Sequence, residues 1–318
     1  MYKRIQVIAN PAAGQPEPVL QPLNAVFQEH GAEWDINVTQ KAGDATRFAQ
    51  EAVERGVDLI AAYGGDGTIM EVASGLVGKQ TPMMILPGGT NNVLAAEFQI
   101  PQSLPQAAAQ IFDRIPCPVD LGKIRDRYFM LRAEIGLIAE MNTETTRELK
   151  DQMGRFAYPV GMIRALTKAQ RVQYKMTIDG QTVELEGIDC FVVNASRIHS
   201  IMGATFADGV SSTDGMLDVF ISNSNVNTAL LAVSRILQLE ENWGVDHWQG
   251  RNITIETAVP RKVWCDGEDF GDTPVTVTVE PGAVNVLCLP PADSAPDNAD
   301  PEAKEEIPAP PDGKPMNQ

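Results

Sequence analysis

The strongest constraint on the fold of this chain is the alternation of strand-like and helix-like segments over its first third. Short apolar runs lie at 5–9, 57–63 and 83–86, and each ends in a glycine-containing turn that leads into a helical pattern. The helical patterns are 19–30, 45–55 and the stretch with apolar residues at Ile69, Val72, Ala73 and Leu76. Strands joined through helices of this length form a parallel, doubly wound sheet. We therefore predict an α/β domain over residues 1–118.

The pattern changes beyond residue 119, where short β-branched runs alternate with turns, and one helical stretch at 144–169 interrupts them. The runs are 128–138, 173–178, 190–194, 217–221, 252–256, 262–265, 275–279 and 284–289. Such runs are typical of a β-rich domain, which we place at 119–290. After Pro290 the chain consists mainly of Pro, Asp, Glu and Ala, which predicts a disordered acidic tail over 291–318.

The motif Gly64-Gly65-Asp66-Gly67-Thr68 follows a strand and opens a helix. Glycines allow a ligand to approach the backbone closely, and the start of a helix favours phosphate. Asp66 adds a negative charge, which fits such a site if it holds Mg²⁺ between phosphates and protein. A tight turn with an Asp at the start of a helix is the alternative interpretation.

Two further turns belong to the same edge of the predicted sheet, since the carboxyl ends of parallel strands meet there. The first of these turns is the motif Pro87-Gly88-Gly89-Thr90-Asn91-Asn92. If the phosphate belongs to a nucleotide, we predict that Gly89, Thr90 and Asn92 contact that nucleotide. The turn Asn10-Pro11-Ala12-Ala13-Gly14, after the first strand, supplies Asn10 to this site.

Composition narrows the class of partner and the cellular compartment. The formal net charge is -17, which argues against nucleic acid as a ligand because phosphate backbones are bound by Lys and Arg. The four cysteines and three histidines lack zinc-ligand spacing, and free thiols fit a reducing cytoplasm. The chain shows neither an apolar secretory signal nor an apolar run long enough to span a bilayer, so we expect a cytoplasmic protein.

Asp266-Gly267-Glu268 lies between two predicted strands, where an Asp-Gly pair first of all indicates a hairpin turn. A kinase also needs a carboxylate near the acceptor hydroxyl to receive its proton. Asp266 and Glu268 are therefore candidate catalytic residues, together with Asp66.

The order of these motifs resembles the diacylglycerol kinase catalytic-domain family, which includes bacterial soluble lipid kinases, sphingosine kinases and ceramide kinases. The resemblance extends over residues 1–290. The motifs that carry it are Asn10-Pro-x-x-Gly14, Gly64-Gly-Asp-Gly-Thr68, Pro87-x-Gly-Thr-x-Asn92, Asp214-Gly-x-Leu217 and Asp266-Gly-Glu268. It implies a nucleotide-binding α/β domain, a C-terminal β-sandwich domain and an active site in the cleft between them.

The resemblance also implies roles for single residues. ATP would be contacted by the segment from Gly65 to Glu71, by Thr90 and by Thr39, and Glu268 would accept the proton with support from Asp266. A structural Mg²⁺ would be held by Asp214 and by main-chain oxygens of Ser211 and Met216, although an ordinary solvated Asp-Gly turn is the alternative. The expected reaction is transfer of the γ-phosphoryl group of ATP to a lipid hydroxyl, with diacylglycerol as the first candidate and a sphingoid base or ceramide as others.

Three departures from the family pattern weaken the substrate assignment more than the kinase assignment. Met70 stands where many relatives carry Asn, Val93 where they carry Asp, and Ile138 within a segment that is Gly-Phe-Asp-like in relatives. An NAD kinase-like or phosphofructokinase-like enzyme with a soluble acceptor is one alternative, since those enzymes share a Gly-Gly-Asp-Gly turn. A non-catalytic nucleotide or lipid sensor is the other.

A basic amphipathic segment between Arg147 and Lys175 predicts transient docking on an anionic membrane surface. A helix packed on its own domain with solvated charges explains the same pattern. Association with a lipid substrate at the membrane surface is thus expected, and a homodimer is compatible with the sequence.

Overall fold

The structure, a computed structural model, describes residues 2–13, 18–137, 139–140, 171–195, 210–222 and 246–290. The predicted helix at 144–169, the tail at 291–318, Gly14 and Ile138 lie outside the described residues. The N-terminal elements are β1 (Arg4–Ala9), α1 (Leu20–Glu29), β2 (Glu33–Val38), α2 (Asp44–Glu54), β3 (Leu59–Gly64), α3 (Asp66–Leu76), β4 (Met83–Pro87), α4 (Val93–Glu97) and α5 (Leu104–Ala109).

The first four strands pair in parallel in the order β2-β1-β3-β4. The chain moves from β1 to β2 in one direction and from β2 through β3 to β4 in the other. Right-handed crossovers therefore place α1 on one face and α2 and α3 on the opposite face. Consistent with this arrangement, α1 packs with α5 and α2 packs with α3. The predicted doubly wound sheet is confirmed.

Burial on both faces explains why β3 and β4 are continuous apolar runs. Every residue of these two strands is buried, as expected for central strands that carry helices on both sides. The helices approach closely as well. A Cβ atom on Gly75 of α3 would lie 2.7 Å from the carbonyl oxygen of Thr46 in α2, so this crossing requires glycine.

Apart from a short 3₁₀ helix at Gln110–Phe112, the remaining described elements are strands, and they build the second part of the molecule. They are β5 (Ile115–Ile124), β6 (Arg127–Phe129), β7 (Arg132–Gly136), β8 (Val172–Ile178), β9 (Gln181–Gly187), β10 (Asp189–Val193), β11 (Leu217–Ser222), β12 (Asp246–Gly250), β13 (Asn252–Thr257), β14 (Lys262–Cys265), β15 (Glu268–Asp272) and β16 (Val275–Cys288).

The long strand β16 joins the two parts of the molecule through one continuous sheet. Its C-terminal part lies parallel to β4, with Val286 opposite Met83, and its N-terminal part pairs antiparallel with β13. Along both parts it pairs antiparallel with β5, with an irregularity between Glu280 and Val284. The domain boundary predicted at 118/119 falls inside β5.

A second antiparallel sheet, in the order β12-β11-β10-β7-β14-β15, packs against the β8–β9–β13–β16 region of the first sheet. The core between the two sheets includes Met176, Ile253 and Val277 from one side and Ile135, Val192 and Val219 from the other. These residues alternate with residues on the outer faces, as strands of a sandwich require. The predicted C-terminal β-sandwich is confirmed.

One predicted run differs from the structure. The segment 128–138 was expected to be a single strand, but β6 ends at Phe129 and β7 begins at Arg132. The backbone amides of Met130 and Leu131 bind the carboxylate of Asp266 instead of a neighbouring strand. A long-range contact that the local pattern does not contain therefore divides the strand. Within the described ranges, no helix is both long and apolar enough to cross a membrane.

Candidate active site

The turns after β1 and β3 meet at the carboxyl edge of the parallel strands. The side-chain amide of Asn10 donates to Oγ1 of Thr68 at 3.1 Å, and its Oδ1 accepts the amide of Ala12 at 3.0 Å. A Cβ atom on Gly64 would lie 2.7 Å from Cβ of Thr68, so the turn has no room for a side chain there. Asn10, Gly64 and Thr68 thus form one packed unit beneath the start of α3.

The two glycine turns touch each other through their backbones. A Cβ atom on Gly89 would lie 2.6 Å from Cα of Gly65, and one on Gly88 would lie 2.9 Å from the ring of Tyr63. The helix α3 begins directly after Gly65, so its positive end faces the point where the turns meet. This arrangement suits an anion such as a polyphosphate.

Asp66 links the first glycine turn to the helix that follows the second. Its Oδ1 accepts the backbone amide of Leu94, in the first turn of α4, at 2.9 Å. This carboxylate therefore binds the first turn of α4, whereas the alternative interpretation placed it as the cap of α3, whose N-cap is Gly65 without a side-chain hydrogen bond. Its predicted role toward Mg²⁺ would rest on Oδ2.

Asn92 and Thr90 have different surroundings in the second turn. Asn92 has a left-handed backbone, its Oδ1 accepts the amide of Gly89 at 2.7 Å, and its Nδ2 donates to Gln102 at 2.8 Å. Asn92 is buried and shapes the loop from within, whereas Thr90 is exposed at its tip. Of the two, Thr90 is the better placed to meet a ligand.

Thr39 and Glu71 are held by hydrogen bonds with neighbouring segments. Oε2 of Glu71 accepts the amides of Gly43 at 3.0 Å and Ala45 at 3.2 Å, which fastens the start of α2 to α3. Thr39 is buried just after β2, and its amide donates to the carbonyl of Ala9. Their predicted contacts with the nucleotide stay predictions.

The distant Asp266-Gly267-Glu268 hairpin comes to lie against the first glycine turn. Oε1 of Glu268 is 3.7 Å from the position that a Cβ atom on Gly67 would occupy. Asp266 and Gly267 form the tight turn between β14 and β15, with φ values of +46° and +92°. Asp266 and Gly267 thus form a hairpin turn, and Glu268 lies beside the first glycine turn. The catalytic role of the two carboxylates stays a prediction.

Asp266 fixes the base of this hairpin. Its two carboxylate oxygens accept the backbone amides of Met130, Leu131 and Arg132 at distances from 2.6 to 3.2 Å. Burial raises the pKa of Asp266 to about 6, and the amide hydrogen bonds oppose that rise. Asp266 thus holds the hairpin that carries Glu268, and its carboxylate is directed at the amides of residues 130–132.

Arg127 is a residue of this site that sequence reasoning missed. Its Nη2 donates to Oε2 of Glu268, and its Nη1 donates to the carbonyl of Asp269 at 2.7 Å. The guanidinium carbon also lies 3.8 Å from the centre of the Phe270 ring. A single arginine in a short strand gives no local signal of such a role.

The turn before β11 holds the residues predicted to bind a structural metal. Oδ1 of Asp214 accepts the amide of Met216 at 3.0 Å, and Asp214 is exposed. The described residues contain no group of three or more His, Cys, Asp or Glu side chains that could hold a metal. One carboxylate with main-chain oxygens of Ser211 and Met216 is nevertheless a set of ligands that Mg²⁺ accepts. The chemical type of these ligands is therefore compatible with Mg²⁺.

Asp120 supports that turn and was also missed. Its carboxylate accepts the amides of Gly215 at 2.6 Å and Gly282 at 2.7 Å, and the residue is almost fully buried. An aspartate within the apolar run Val119–Leu121 was the available signal, since a buried carboxylate in a strand requires partners.

Two of the three residues that depart from the family pattern, Met70 and Val93, lie among the described residues. Met70 is buried in the core beneath the first glycine turn, and Val93 is the first residue of α4. Neither supplies a ligand for a metal, so the metal chemistry of this edge would depend on Asp66.

Comparison with known proteins agrees with the motifs. Residues 4–124 match the family model of the diacylglycerol kinase catalytic domain, and residues 133–288 match that of the YegS C-terminal NAD kinase beta sandwich-like domain. A diacylglycerol kinase of Bacillus subtilis (strain 168) is 32% identical over 281 residues, which cover 86% of this chain and 92% of that protein.

Two further relatives extend over most of the chain. A protein of Synechocystis sp. (strain ATCC 27184 / PCC 6803 / Kazusa), described as uncharacterised, is 32% identical over 304 residues, 88% of this chain and 69% of that one. The crystal structure of a diacylglycerol kinase from Bacillus anthracis str. Sterne has a TM-score of 0.70 at 26% identity and covers 91% of this chain and 98% of that one. The matched domains and relatives show that the chain belongs to the diacylglycerol kinase catalytic-domain family of lipid kinases.

Proposed function

We propose that this protein transfers the γ-phosphoryl group of ATP to the hydroxyl group of a membrane lipid, with diacylglycerol as the first candidate acceptor. The observation that carries the proposal is the position of Glu268. Its Oε1 lies 3.7 Å from the position that a Cβ atom on Gly67 would occupy in the first glycine turn. A phosphate site and a carboxylate close beside it are the two parts that phosphoryl transfer to an alcohol requires.

ATP would place its phosphates where the two glycine turns meet. The backbone at Gly64 and Gly89 leaves no space for side chains, and the start of α3 supplies a positive end. Asp66 is the residue that would hold Mg²⁺ through Oδ2, and the ion would offset the negative charge of the phosphates. Asp214, with main-chain oxygens of Ser211 and Met216, would hold a second, structural ion.

Glu268 is the proton acceptor in this proposal. The acceptor hydroxyl gives its proton to Oε1, its oxygen bonds to the γ-phosphorus, and the bond from that phosphorus to the bridging oxygen breaks to release ADP. Asp266 keeps the hairpin beside the first glycine turn through the three backbone amides that its carboxylate binds. Most of the rate enhancement then comes from the positioning of the reactants.

The lipid acceptor is supported by the relatives named as diacylglycerol kinases. A soluble acceptor such as NAD is the second candidate, because the matched C-terminal domain is described as NAD kinase-like. We further propose that the protein reaches its substrate by transient association with the membrane surface, as a lipid alcohol requires.

The acceptor can be identified with γ-labelled ATP and Mg²⁺ in parallel reactions. One contains diacylglycerol in mixed micelles, one a total lipid extract, and one NAD without lipid. We expect labelled phosphatidic acid in the first and the same product in the second. Label on NAD alone would favour the soluble acceptor, and ATP binding without labelled product in any reaction would favour a sensor.

A further inference from the structure

Arg127 stands beside the proposed catalytic carboxylate without a role in the mechanism above. It lies on β6, a strand of the first sheet. This strand also contacts α3, the helix that begins at the first glycine turn. Glu268 lies on β15, at the edge of the second sheet. We propose that Arg127 is a positioning residue, which holds Glu268 so that Oε1 faces the γ-phosphoryl group. This inference rests on the proposed function.

Three simultaneous contacts fix the guanidinium of Arg127. It donates from Nη2 to Oε2 of Glu268 and from Nη1 to the main-chain carbonyl of Asp269, and it stacks on the ring of Phe270. A planar guanidinium with fixed donor directions can satisfy all three at once, whereas an ammonium group provides a point charge. The carbonyl and the ring belong to the hairpin itself. Arg127 therefore binds the backbone of the hairpin as well as the carboxylate of Glu268.

The pairing decides which oxygen of Glu268 is available. Because Oε2 is occupied by Arg127, Oε1 is the oxygen that points at the turn, 3.7 Å from the Cβ position of Gly67. The side chain of Glu268 is 56% exposed, so without the tether it would sample several rotamers. A base that is displaced by even about 1 Å loses much of its effect on the rate.

A surface ion pair of this kind adds little to folding stability, because solvent screens both partners. The side chain of Arg127 is 44% exposed, so its removal should leave the melting temperature nearly unchanged. A large loss of rate with little loss of stability would therefore separate positioning from a structural role.

The test compares Arg127→Ala, Arg127→Lys and the matched control Arg125→Ala in labelled-phosphate transfer to diacylglycerol micelles. Arg125 lies two residues away on the same exposed hairpin. We expect Arg127→Ala to lower kcat about 100-fold with the KM for ATP nearly unchanged. Arg127→Lys should recover part of that loss, and Arg125→Ala should match the wild type. An unchanged kcat in Arg127→Ala, or a loss confined to the KM for ATP, would overturn the inference.

A double variant shows whether Arg127 acts through Glu268. If it does, Arg127→Ala should cause no further loss in a Glu268→Gln background, because the carboxylate that it positions is already gone. A further loss of the same size in the double variant would mean that Arg127 contacts the substrate directly, which contradicts the inference. Wild-type turnover in Glu268→Gln alone would instead overturn the proposed function, so the two failures are distinguishable.

Discussion

At the scale of single residues, the carboxylates of the site are held mainly by backbone amides. Asp66 accepts an amide from α4, and Glu71 accepts two from the start of α2. Asp266 accepts three, two from the segment before β7 and one from the first residue of β7. Each therefore joins two segments of the chain in addition to any chemical role. Substitutions must be chosen so that the hydrogen bond and the charge are removed separately.

Asp66 allows that separation. Asp66→Asn keeps an oxygen that can accept the Leu94 amide, whereas Asp66→Ala removes it. If Asp66 acts through its charge, both variants should lose nearly all phosphoryl transfer, and Asp66→Ala alone should also lose about 1 kcal/mol of unfolding free energy. Turnover and urea unfolding measured on the same samples check this. Substantial turnover by Asp66→Asn would show that the charge is not required.

The raised pKa of Asp266 predicts a pH dependence of stability. Since the folded protein holds this proton up to about pH 6, while an unfolded Asp loses it near pH 4, the contribution of Asp266 is complete below pH 4 and is lost as pH rises through 6. Relative to Asp266→Asn, the wild type should lose about 1 to 3 kcal/mol of unfolding free energy between pH 4 and pH 7. Urea unfolding at several pH values measures it, with the exposed Asp126→Asn as control. A constant or oppositely sloped difference would contradict the assignment.

At the scale of elements, the glycine turns could be predicted from sequence because their requirement is local. A strand, a glycine pair and a helix define each turn, and the structure places both where the pattern expected. The partner of the first turn was not predictable in this way. Glu268 lies near Gly67 because β14 and β15, at one edge of the second sheet, place the hairpin beside the first glycine turn. No local sequence pattern encodes that proximity.

The contact between the two turns can be tested by adding one methyl group. A Cβ atom on Gly89 would lie 2.6 Å from Cα of Gly65, whereas one on Gly65 would lie at an ordinary 3.6 Å from Cα of Gly89. Gly89→Ala should therefore cost about 1 to 3 kcal/mol and weaken ATP binding, because the turns must separate. Gly65→Ala serves as the stability control and should cost clearly less. Thermal unfolding and nucleotide titration provide both measurements, and equal stability losses would contradict the packing described here.

At the scale of the whole molecule, the two predicted domains share a sheet. The sequence predicted a change from α/β to β-rich structure at residue 119, a position that lies inside β5. It did not reveal that β16, from the end of the described chain, pairs with β4 as well as with β13. Pairing between strands about 200 residues apart depends on tertiary packing and leaves no periodic signal.

This shared sheet predicts that residues 1–118 do not fold alone. The cut at 118 divides β5 and removes β16, whose buried Val284 and Val286 complete the N-terminal core. The fragment should lack a cooperative urea transition, whereas 1–290, which keeps both sheets complete, should show one. Circular dichroism during urea unfolding distinguishes the two, and a cooperative transition in the fragment would show that the first domain is independent.

The most direct measurement is the single-turnover rate of phosphate transfer from labelled ATP to diacylglycerol micelles, in the wild type, Glu268→Gln and Asp269→Asn. Asp269 is the adjacent exposed carboxylate, so it controls for charge at the hairpin. Glu268→Gln should be slower by about 10² to 10⁴-fold with ATP affinity retained, and Asp269→Asn should remain close to the wild type. A wild-type rate in Glu268→Gln would contradict the assignment of Glu268 as the proton acceptor.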